Sequence, residues 1–485
     1  MDWIDEQLGR ITMYRLVLYC LIALDTIAAG LMVIGNLGFS VTWFLASIVT
    51  FVFVSYASNR LFGWLFGVHP HSESALITGL ILSLLFMPPT SIIVIVEYVL
   101  VAAIAMASKY IIAVRNRHIF NPAAVAAVIA GIGGLAFAGW WVATPAMLPA
   151  SVITAILILY RTKKMRVGLV FVVVTLVGLL VQKISPTDAF LSWPIIFLAG
   201  VMLSEPLTLP PKAKQQYIVA AVVGILMVVP FTYGRITMTP ALALVIGNLV
   251  GWWFGQRQSI KLRFVGKKQM SQSTYEFTFD TKQLHFNPGQ YMEVTLIHKK
   301  ADSRGHRRIF SIASKLGENQ VSIGMKIPDK SSSFKKAMVN LKPGSVMYAT
   351  RIAGDFVLPS DSSTPIVCIA GGIGITPFVS FIESADRPIQ LIYSLNSIAD
   401  MSYGETLRQH NVDVTIVTPE AASLPDPDWK LAQGHVTKEL LASLINVSKQ
   451  PIVYISGPPA MVLGIRKIVK ELGIKHVKVD EFSGY

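Results

Sequence analysis

The stretch PIVCIAGGIGITP, residues 365–377, decides how the second half of this 485-residue chain is interpreted. It begins with an unbroken apolar run, as expected of a parallel strand that is buried on both faces. Gly371, Gly372 and Gly374 follow at once, and Thr376 and Pro377 open an apolar helix. Glycines between a strand and a helix let backbone amides approach a phosphate, and the helix N-terminus favours its charge. The stretch therefore predicts a phosphate-binding turn.

The residues on either side of this turn predict two folded modules. Apolar runs at 389–395, 412–417 and 452–456 have the length of further parallel strands. Upstream, alternating runs at 275–280, 291–297 and 321–327 predict a small antiparallel barrel. We therefore expect an antiparallel β-barrel over 256–360 and an α/β nucleotide domain over 361–485.

The first 255 residues have a different composition. The whole chain is 53% hydrophobic and only 14% charged, and the apolar residues are concentrated between Thr12 and about Phe254. We predict an all-α membrane domain over 1–255, and several of its spans are shorter than the roughly 20 residues that a straight crossing needs. About ten spans are expected, at 12–35, 38–57, 74–88, 91–108, 122–138, 146–160, 166–182, 189–204, 216–231 and 239–254.

The net charge of +14 is explained by membrane topology better than by nucleic-acid binding. A cytoplasmic N-terminus places nearly all basic loop residues inside and leaves mainly Lys183 and Arg235 outside. With ten spans the C-terminus is also cytoplasmic, which predicts a multi-pass protein of the plasma membrane. The opening MDWIDEQLGR is acidic and polar, so we interpret the run from Thr12 as a first span and not as a cleaved signal.

The membrane half contains an internal repeat. Gly79 and Ser83 in the third span match Gly200 and Ser204 in the eighth, and each pair is followed by two prolines. The fifth span opens at Asn121-Pro122 and the tenth at Thr239-Pro240. Five spans per half give the halves opposite orientations, which is typical of an inverted repeat with a central site.

The C-terminal half carries several motifs in a fixed order. Pro288-Gly-Gln-Tyr291 precedes Arg308-Ile309-Phe310-Ser311, and the GGxGxTP turn precedes Ser456-Gly457-Pro458-Pro459-Ala460-Met461. These motifs resemble those of the ferredoxin–NADP reductase superfamily, with Phe310 in place of Tyr and Ser456 in place of Cys. The resemblance implies bound FAD and a nicotinamide nucleotide.

The resemblance also implies a role for each matching residue. Arg308 would pair with the FAD pyrophosphate, Phe310 would pack on the isoalloxazine, and Ser311 would hydrogen-bond near the flavin N5. Ser311, Ser456 and Phe482 are the predicted catalytic residues. The predicted cofactor-binding residues are Tyr291, Arg308, Ile309, Phe310, Ser311, Ser332, Ser333, Gly371, Gly372, Gly374, Thr376, Pro377, Gly457, Pro458, Met461 and Phe482.

The choice between NADH and NADPH rests on the segment after the second nucleotide strand. NADPH-specific relatives usually place an arginine there, whereas this chain has Tyr393-Ser-Leu-Asn-Ser397. The missing arginine favours NADH, although Arg408 is a possible substitute.

Residues 60–255 resemble the integral flavin-binding subunit family shared by the sodium-pumping NADH:quinone reductase and the Rnf complex. The matching stretches are SALITGLILSLLFMPP from Ser74, FNPAAVAAVIAG from Phe120 and LSEPLTLPPKAKQQ from Leu203. In that family a threonine carries covalent FMN, and Thr144 is the corresponding residue here. Trp140 and Trp141 beside it are alternatively interfacial anchors, with Thr144 only beginning a helix. Non-covalent binding of FMN, riboflavin or a quinone between the repeats is a further alternative.

Two residue counts limit the redox chemistry. Cys20 and Cys368 are the only cysteines, too few for a four-cysteine iron–sulfur cluster, and no metal site is predicted. The membrane-half histidines, His69, His71 and His118, fall in predicted cytoplasmic loops, which argues against haem held between facing helices.

We therefore expect an oxidoreductase that passes electrons from NADH or NADPH through FAD to a flavin or quinone in the membrane. Asp25, Glu97 and Glu205 lie in or beside predicted spans, where ionisable groups are costly and often functional. A redox-driven Na+ or H+ pump that uses these carboxylates is therefore an alternative function. A transporter-like membrane protein regulated by the redox state of its reductase is a further alternative.

Overall fold

A computed structural model describes residues 13–67, 70–114, 117–210, 212–256, 260–282, 284–298, 302, 307–328, 331–410, 412–420 and 423–482. The chain divides into two compact units, which we call the helical unit, Arg10–Arg257, and the reductase unit, which contains Gln258–Tyr485. The predicted boundary after residue 255 lies two residues before this division. His69 and the tail residues 483–485 lie outside the described residues.

Each of the ten predicted apolar runs contains helix in the helical unit. Among the residues that the structure describes, three helices are long and apolar enough to cross a membrane, namely α1 (Met13–Val33), α2 (Val41–Leu65) and α4 (Ile92–Ile111). The pair α7 (Met165–Val181) and α8 (Pro186–Ser192) passes the same test together but bends by 117° at its break. The other helices are shorter, namely α3 (Ser72–Leu85), α5 (Pro122–Gly133), α6 (Leu148–Arg161), α9 (Ile195–Phe197), which continues as a π-helix to Met202, α10 (Ala213–Val228) and α11 (Pro240–Gly251).

The two glycines of the predicted repeat lie where helices approach closely. A β-carbon at Gly79 would lie 2.8 Å from the carbonyl oxygen of Phe51 on α2. A β-carbon at Gly200 would overlap Ala155 on α6. Small residues at such positions let helix backbones approach each other closely. Close approach of this kind is common where helices pack in a membrane.

Two short hairpins occupy equivalent places in the helical unit. Strands β1 (Ala113–Val114) and β2 (Arg117–His118) follow α4 and precede α5. Strands β3 (Thr232–Tyr233) and β4 (Ile236–Thr237) follow α10 and precede α11. Both following helices begin at proline, after an Asn121 or Thr239 side chain that accepts a backbone N–H of the first turn.

The reductase unit begins with an antiparallel sheet. Its strands are β5 (Ile260–Gln269), β6 (Thr274–Asp280), β7 (Tyr291–Thr295), β8 (Arg307–Ser311), β9 (Gln320–Lys326) and β10 (Val346–Ala353), in the order β8-β7-β10-β5-β6-β9. Ile312, just after β8, forms an antiparallel bridge to Ile323 of β9, so the two edge strands meet. Side chains on one face of these strands, such as Phe277, Phe279 and Val294, form the core. One short helix, α12 (Ser333–Val339), interrupts the sheet between β9 and β10.

A parallel sheet completes the reductase unit. Its strands are β11 (Ile366–Gly371), β12 (Ile389–Ser394), β13 (Val412–Thr418), β14 (Lys430–Gln433), β15 (Ile452–Gly457) and β16 (Val477–Glu481), in the order β14-β13-β12-β11-β15-β16. The helices are α13 (Thr376–Ser384), α14 (Gly404–Gln409), α15 (Lys438–Leu444) and α16 (Pro459–Glu471). The run of six buried residues in β11 confirms the expected strand.

Candidate redox site

The strand order of the parallel sheet defines the first part of the site. The chain moves from β11 outward through β12 to β14, then returns to the other side of β11 as β15. Ligands of open α/β sheets bind outside the carboxyl ends of the strands at such a reversal. The turn after β11 and the turn after β15 lie there, and these turns contain the GGxGxTP and SGPPxM motifs. The fold therefore brings together two motifs that are far apart in the chain.

Close backbone contacts join these two turns. A β-carbon at Gly371 would overlap the Sδ of Met461, and one at Gly374 would overlap the carbonyl oxygen of Ser456. A larger residue at Gly374 would force the turns apart, and one at Gly371 would displace the Met461 side chain. The sequence motif needs these glycines for packing as well as for access to a phosphate.

Gly372 meets the requirement for an open phosphate-binding turn. Its φ is 52°, in the left-handed region that glycine adopts without strain, and a β-carbon there would meet nothing within 4 Å. Thr376 follows as the first residue of α13 and donates its hydroxyl to the carbonyl of Ile373, 3.1 Å away. Pro377 occupies the first turn of α13, where a missing N–H costs nothing.

The backbone of Phe482 is hydrogen-bonded to the second turn. Phe482 donates its backbone N–H to the carbonyl of Gly457 at 3.0 Å, so this residue is held next to the motif that contains Ser456. The hydroxyl of Ser456 is fully buried and has no hydrogen-bond partner in the part of the chain that the structure describes. A buried unpaired hydroxyl is costly, and it is an available donor or acceptor for a bound group.

Arg308 lies in the antiparallel sheet as a buried cation. Only 7% of its side chain is exposed, and its guanidinium lies 5.2 Å from the centre of the Phe334 ring. Phe310 stands 5.9 Å from the same ring. The structure thus brings the Arg308 motif next to the segment that contains Ser332 and Ser333. Ile309, on the opposite face of β8, is 61% exposed.

Asp302 contacts both of these segments, and sequence reasoning missed it. One carboxylate oxygen lies 3.5 Å from the Arg308 guanidinium, and the other accepts the backbone N–H of Ser333 at 3.1 Å. The Ser333 hydroxyl accepts the Asp302 backbone N–H and lies 3.0 Å from the His298 ring. The Asp302 carboxylate thus accepts from the Arg308 guanidinium and the Ser333 amide. Because these two donors already bind one anionic group, they also suit an anion such as the diphosphate of FAD.

The remaining predicted flavin residues lie on adjoining strands. Tyr291 of β7 pairs directly with Ser311 of β8. From Ser311 the chain continues to the Ile312–Ile323 bridge, and the next residue, Gly324, would place a β-carbon 2.6 Å from a methyl carbon of Thr376. Ser311 in the sheet and Thr376 in the nucleotide turn are therefore linked through a few packed residues.

A group of carboxylates lies between the two sheets of the reductase unit. A cavity there is lined by Glu276, Glu318, Glu383, Lys315 and His410. Burial, followed by the charge of Glu276, raises the pKa of Glu383 to about 7. Burial also raises the pKa of Glu276. No motif predicted this cluster, because its members come from separate elements. No group of three or more metal-binding side chains was found among the described residues.

Thr144 and its two tryptophans lie within the helical unit. The Thr144 hydroxyl oxygen is buried, with no hydrogen-bond partner among the residues described. Trp141 is 2% exposed and donates its indole N–H to the carbonyls of Ser83 and Phe86, both at 2.9 Å. Trp140 is 6% exposed. The alternative that Trp140 and Trp141 are interfacial anchors is therefore wrong, because both rings pack inside the helical unit.

A largely apolar cavity in the helical unit brings polar residues of the two predicted halves together. Its lining includes Ser74, Thr78, Lys109, Asn121 and Glu205. The Lys109 ammonium donates to the Ser74 hydroxyl at 3.0 Å, and Glu205 accepts from Asn121 at 3.0 Å. Glu205 also lies 3.1 Å from the His118 ring, and the backbone N–H of Asn121 donates to the Asn248 side chain at 2.8 Å.

Asp25, Glu97 and His71, which lie in or beside the predicted spans, have different environments. Asp25 is 5% exposed and accepts the Ser83 hydroxyl at 3.1 Å. Glu97 is partly exposed on α4. His71 accepts the backbone N–H of Ser74, which caps α3.

Comparisons with known proteins agree with the motifs of the reductase unit. The family model named Oxidoreductase NAD-binding domain matches residues 368–467. Flavohemoprotein B of Dictyostelium discoideum is 28% identical over 249 residues, which cover 46% of this chain and 58% of the relative. The flavohemoprotein of Bacillus anthracis is 27% identical over 255 residues, covering 48% of this chain and 62% of the relative. The chain thus spans about three fifths of the length of these curated relatives.

Solved structures that match part of the chain were also found. The FAD/NAD-binding domain of nitric oxide dioxygenase from Vibrio cholerae has a TM-score of 0.38 at 18% identity, covering 46% of this chain and 99% of that chain. Ferredoxin-NADP+ reductase from Plasmodium falciparum has a TM-score of 0.38 at 18% identity, covering 47% and 97%.

The matched NAD-binding domain and the flavohemoprotein relatives define the class of the reductase unit. It is an NAD(P)H- and FAD-dependent oxidoreductase module. The described part of the helical unit in the same chain contains three helices that are long and apolar enough to cross a membrane.

Proposed function

We propose that the chain is a membrane-bound flavoprotein that passes electrons from cytoplasmic NADH or NADPH, through FAD, to a flavin or quinone held by its helical unit. The contact of the glycine turn with the Ser456 turn, in the same compact unit as the buried Arg308, is the observation that carries this proposal. The domains we assign are a membrane domain over 1–255, an FAD domain over 256–360 and a nucleotide domain over 361–485.

On this proposal the antiparallel sheet binds FAD. Arg308 offsets the diphosphate charge, together with the amide and hydroxyl groups of Ser332 and Ser333. Tyr291 and Phe310 cover the flavin rings, and Ser311 donates to the ring edge that exchanges hydride. When bound, FAD supplies a ring system that takes up a hydride and gives up electrons one at a time.

The parallel sheet, in turn, binds the nicotinamide nucleotide. The backbone amides of Gly371 to Gly374 and the Thr376 hydroxyl hold its phosphates, which lie against the first turn of α13. Pro458 and Met461 shape the nicotinamide end. The Ser456 hydroxyl, buried and unpaired among the described residues, is positioned to hydrogen-bond the nicotinamide, while Phe482 shields the flavin until the nucleotide enters.

The inverted repeat is supported by features that recur in both halves of the helical unit. Gly79 and Gly200 lie at close helix contacts, and each half has a hairpin followed by a proline-initiated helix with a polar N-cap. Asn121 of one half bonds Asn248 of the other, which joins the two helices where the repeats meet.

The cavity around Lys109 and Glu205 is the proposed site of the membrane acceptor. Flavins and quinones carry ring carbonyls that gain negative charge on reduction, and the Lys109 ammonium is a donor suited to stabilise them. Asn121, Ser74 and Thr78 supply further hydrogen bonds at the same site. The predicted topology places Lys109, His118 and Glu205 at the cytoplasmic side, which is where electrons from the reductase would arrive.

A redox-driven ion pump is a second candidate. Asp25 is buried in α1 and bonded to Ser83 of α3, so a charge or proton on it would be coupled to the packing of these helices. Movement of Na+ or H+ in proteoliposomes during NADH oxidation, abolished in Asp25→Asn, would favour the pump.

A flavin inventory of the detergent-purified protein tests the proposal. The protein is denatured, free and protein-bound flavins are separated, and FAD and FMN are quantified per chain. FAD together with FMN or riboflavin supports an internal relay, and protein-bound fluorescence lost in Thr144→Ala assigns the attachment. One FAD alone rejects the second flavin and leaves quinone as the acceptor.

Reoxidation kinetics then test the acceptor cavity. The FAD is reduced by NADH in a stopped-flow instrument, and its reoxidation by a short-chain quinone is followed. We expect Lys109→Met to slow reoxidation by about tenfold or more without changing FAD reduction, since one charge-assisted hydrogen bond is lost. Lys214→Met, which removes an exposed lysine from the same unit, is the matched control. Equal reoxidation rates in both variants would reject this cavity.

A further inference from the structure

One face of strands β5 and β10 combines exposed apolar side chains with cations. Lys261 and Arg263 alternate with buried residues along β5, so their side chains point away from the core. On β10, Val346 and Tyr348 alternate in the same way and are 40% and 46% exposed. The register pairs Tyr348 with Lys261 and Val346 with Arg263, so each exposed apolar side chain lies beside a cation. We call these four residues the outer patch.

The neighbouring strands contribute charges of both signs to this face. Tyr348 is in register with Thr295 of β7, which is in register with Arg307 of β8. On the other side, Asp280 of β6 is in register with Arg263. The outer patch together with Asp280 keeps a net positive charge.

The sequence that forms β5 is strongly basic. Residues 257–268 contain five lysines or arginines and no aspartate or glutamate. No acidic residue occurs anywhere between Glu205 and Glu276. The basic run begins one residue after Trp252–Gln256, the π-helical end of the last apolar helix of the helical unit. The run is therefore adjacent in sequence to the predicted span at 239–254.

The two lysines at the end of the run have partners inside the reductase unit. Lys267 donates to the carbonyl of Val339 at 2.6 Å. Lys268 lies 2.6 Å from the Glu405 carboxylate. The charge that the run presents on the outer patch therefore comes from Lys261 and Arg263.

This combination of side chains suits an anionic lipid surface. Clusters of lysine and arginine directly beside a membrane helix on the cytoplasmic side are typical of segments that bind anionic headgroups. Tyrosine is enriched at membrane–water interfaces, because its ring is apolar and its hydroxyl is polar. Lys261 and Arg263 supply the charge, and Tyr348 and Val346 supply the apolar contact.

We infer that the outer patch binds anionic lipid headgroups of the cytoplasmic leaflet. The inference rests on the proposed function, because the membrane span and the cytoplasmic side come from it. Lys261 and Arg263 pair with headgroup phosphates, and the Tyr348 ring lies at the level of the headgroups. The contact is sensitive to salt, since exposed charges are screened over about 10 Å at 0.1 M ionic strength.

The test places a fluorescent probe on the outer patch. The full-length protein with Val346→Cys is labelled with bimane and incorporated, one chain per nanodisc, into phosphatidylcholine alone or mixed with phosphatidylglycerol. Quenching by a lipid with a spin label in its headgroup is then measured. We expect quenching at least about twofold stronger with phosphatidylglycerol, falling to the neutral-lipid value at high salt. Cys20 and Cys368 are both buried, and protein without the added cysteine gives the background.

A second probe site controls for general proximity to the bilayer. Leu431 on β14 is also 40% exposed, and a probe on Leu431→Cys is expected to be quenched equally in the two lipids. Equal quenching of the Val346 probe in the two lipids would overturn the inference, even if that quenching were strong.

Charge variants in the Val346→Cys protein identify the groups involved. Lys261→Gln combined with Arg263→Gln is expected to abolish the dependence on phosphatidylglycerol. Arg466→Gln with Lys467→Gln makes the same change of charge at exposed residues of α16 and is expected to leave it intact. Equal losses in the two double variants would overturn the inference, because general charge and not the outer patch would then be responsible.

Reduction of ferricyanide by NADH, which needs no membrane acceptor, is measured on the same samples. Normal rates without lipid-dependent quenching would overturn this inference alone. Failure of every sample, including the unaltered protein, to oxidise NADH would reject the proposed function, while the quenching data would still decide whether the outer patch binds anionic lipid.

Discussion

At the residue scale, two opposite charges define the proposed diphosphate site. Arg308 is a buried cation, and the Asp302 carboxylate lies 3.5 Å from it. The same carboxylate accepts the Ser333 amide that the cofactor would need. FAD must therefore displace Asp302 or share these donors with it.

Substitutions of the two residues are expected to change FAD affinity in opposite directions. Arg308→Gln removes a charge-assisted contact and is expected to weaken FAD binding by about 10- to 100-fold. Asp302→Asn removes a competing negative charge and is expected to tighten binding by a few-fold, less so at high salt. Fluorescence titration of the flavin-depleted protein with FAD measures both effects.

Matched variants separate these effects from a general change of charge. Arg263→Gln and Asp413→Asn alter exposed groups of the same unit and are expected to leave FAD affinity unchanged. Weaker FAD binding by Asp302→Asn would mean that Asp302 organises the site and does not compete for it.

At the element scale, the turn before β7 depends on one glycine. Gly289 has a φ of 86°, and a β-carbon there would overlap the carbonyl of Phe356 and the ring of Phe381. Gly317 has a similar φ of 90°, but nothing lies within 4 Å of its missing β-carbon. The two glycines therefore share a backbone requirement and differ in packing.

This pair allows a controlled stability measurement. Gly317→Ala is expected to cost about 1–2 kcal/mol for the left-handed backbone alone. Gly289→Ala is expected to cost clearly more, because the surrounding elements must also move. Calorimetry of both variants measures the difference in melting temperature. Equal destabilisation would show that the turn has room to relax.

The C-terminal end of α13 controls a pH-dependent contribution to stability. Glu383 has a pKa raised from 4.5 to about 7 by burial and then by Glu276. The folded state therefore binds more protons than the unfolded state between these values, and stability falls as pH rises from about 4.5 to 7. Above pH 7 the penalty is complete.

Glu383→Gln is expected to remove this penalty. The melting temperature of the variant should match that of the unaltered protein near pH 4.5 and exceed it above pH 7, as followed by calorimetry across the range. Glu471→Gln, an exposed carboxylate paired with Lys438, is expected to show no such divergence. Parallel curves for Glu383→Gln would contradict the assignment.

At the scale of the whole molecule, the arrangement of charge along the chain predicts sidedness. The predicted topology places the basic loop residues and the reductase half on the same side of the membrane, so the nucleotide site is expected to face the cytoplasm. Inside-out vesicles are expected to oxidise added NADH, and right-side-out vesicles only after permeabilisation. The reverse result would invert the topology.

The sequence alone predicted most elements, and its motifs supplied the residues of the proposed site. Periodicity two marked the strands of the antiparallel sheet, unbroken apolar runs marked the parallel strands, and glycine motifs marked the nucleotide turns. These signals are local, because they arise from side-chain alternation and backbone conformation. The helix bounds were less certain, since lipid-facing and buried positions are both apolar.

Only the tertiary structure decided which distant residues meet. Asp302 beside Ser333, Glu383 beside Glu276, and Glu205 beside Asn121 carry no signal in the sequence, because each pair is formed by segments that lie apart in the chain. The burial of Trp140 and Trp141 and the pairing of Arg408 with Asp426 were decided in the same way. Local patterns specify elements, whereas packing between elements specifies neighbours, burial and therefore charge environment.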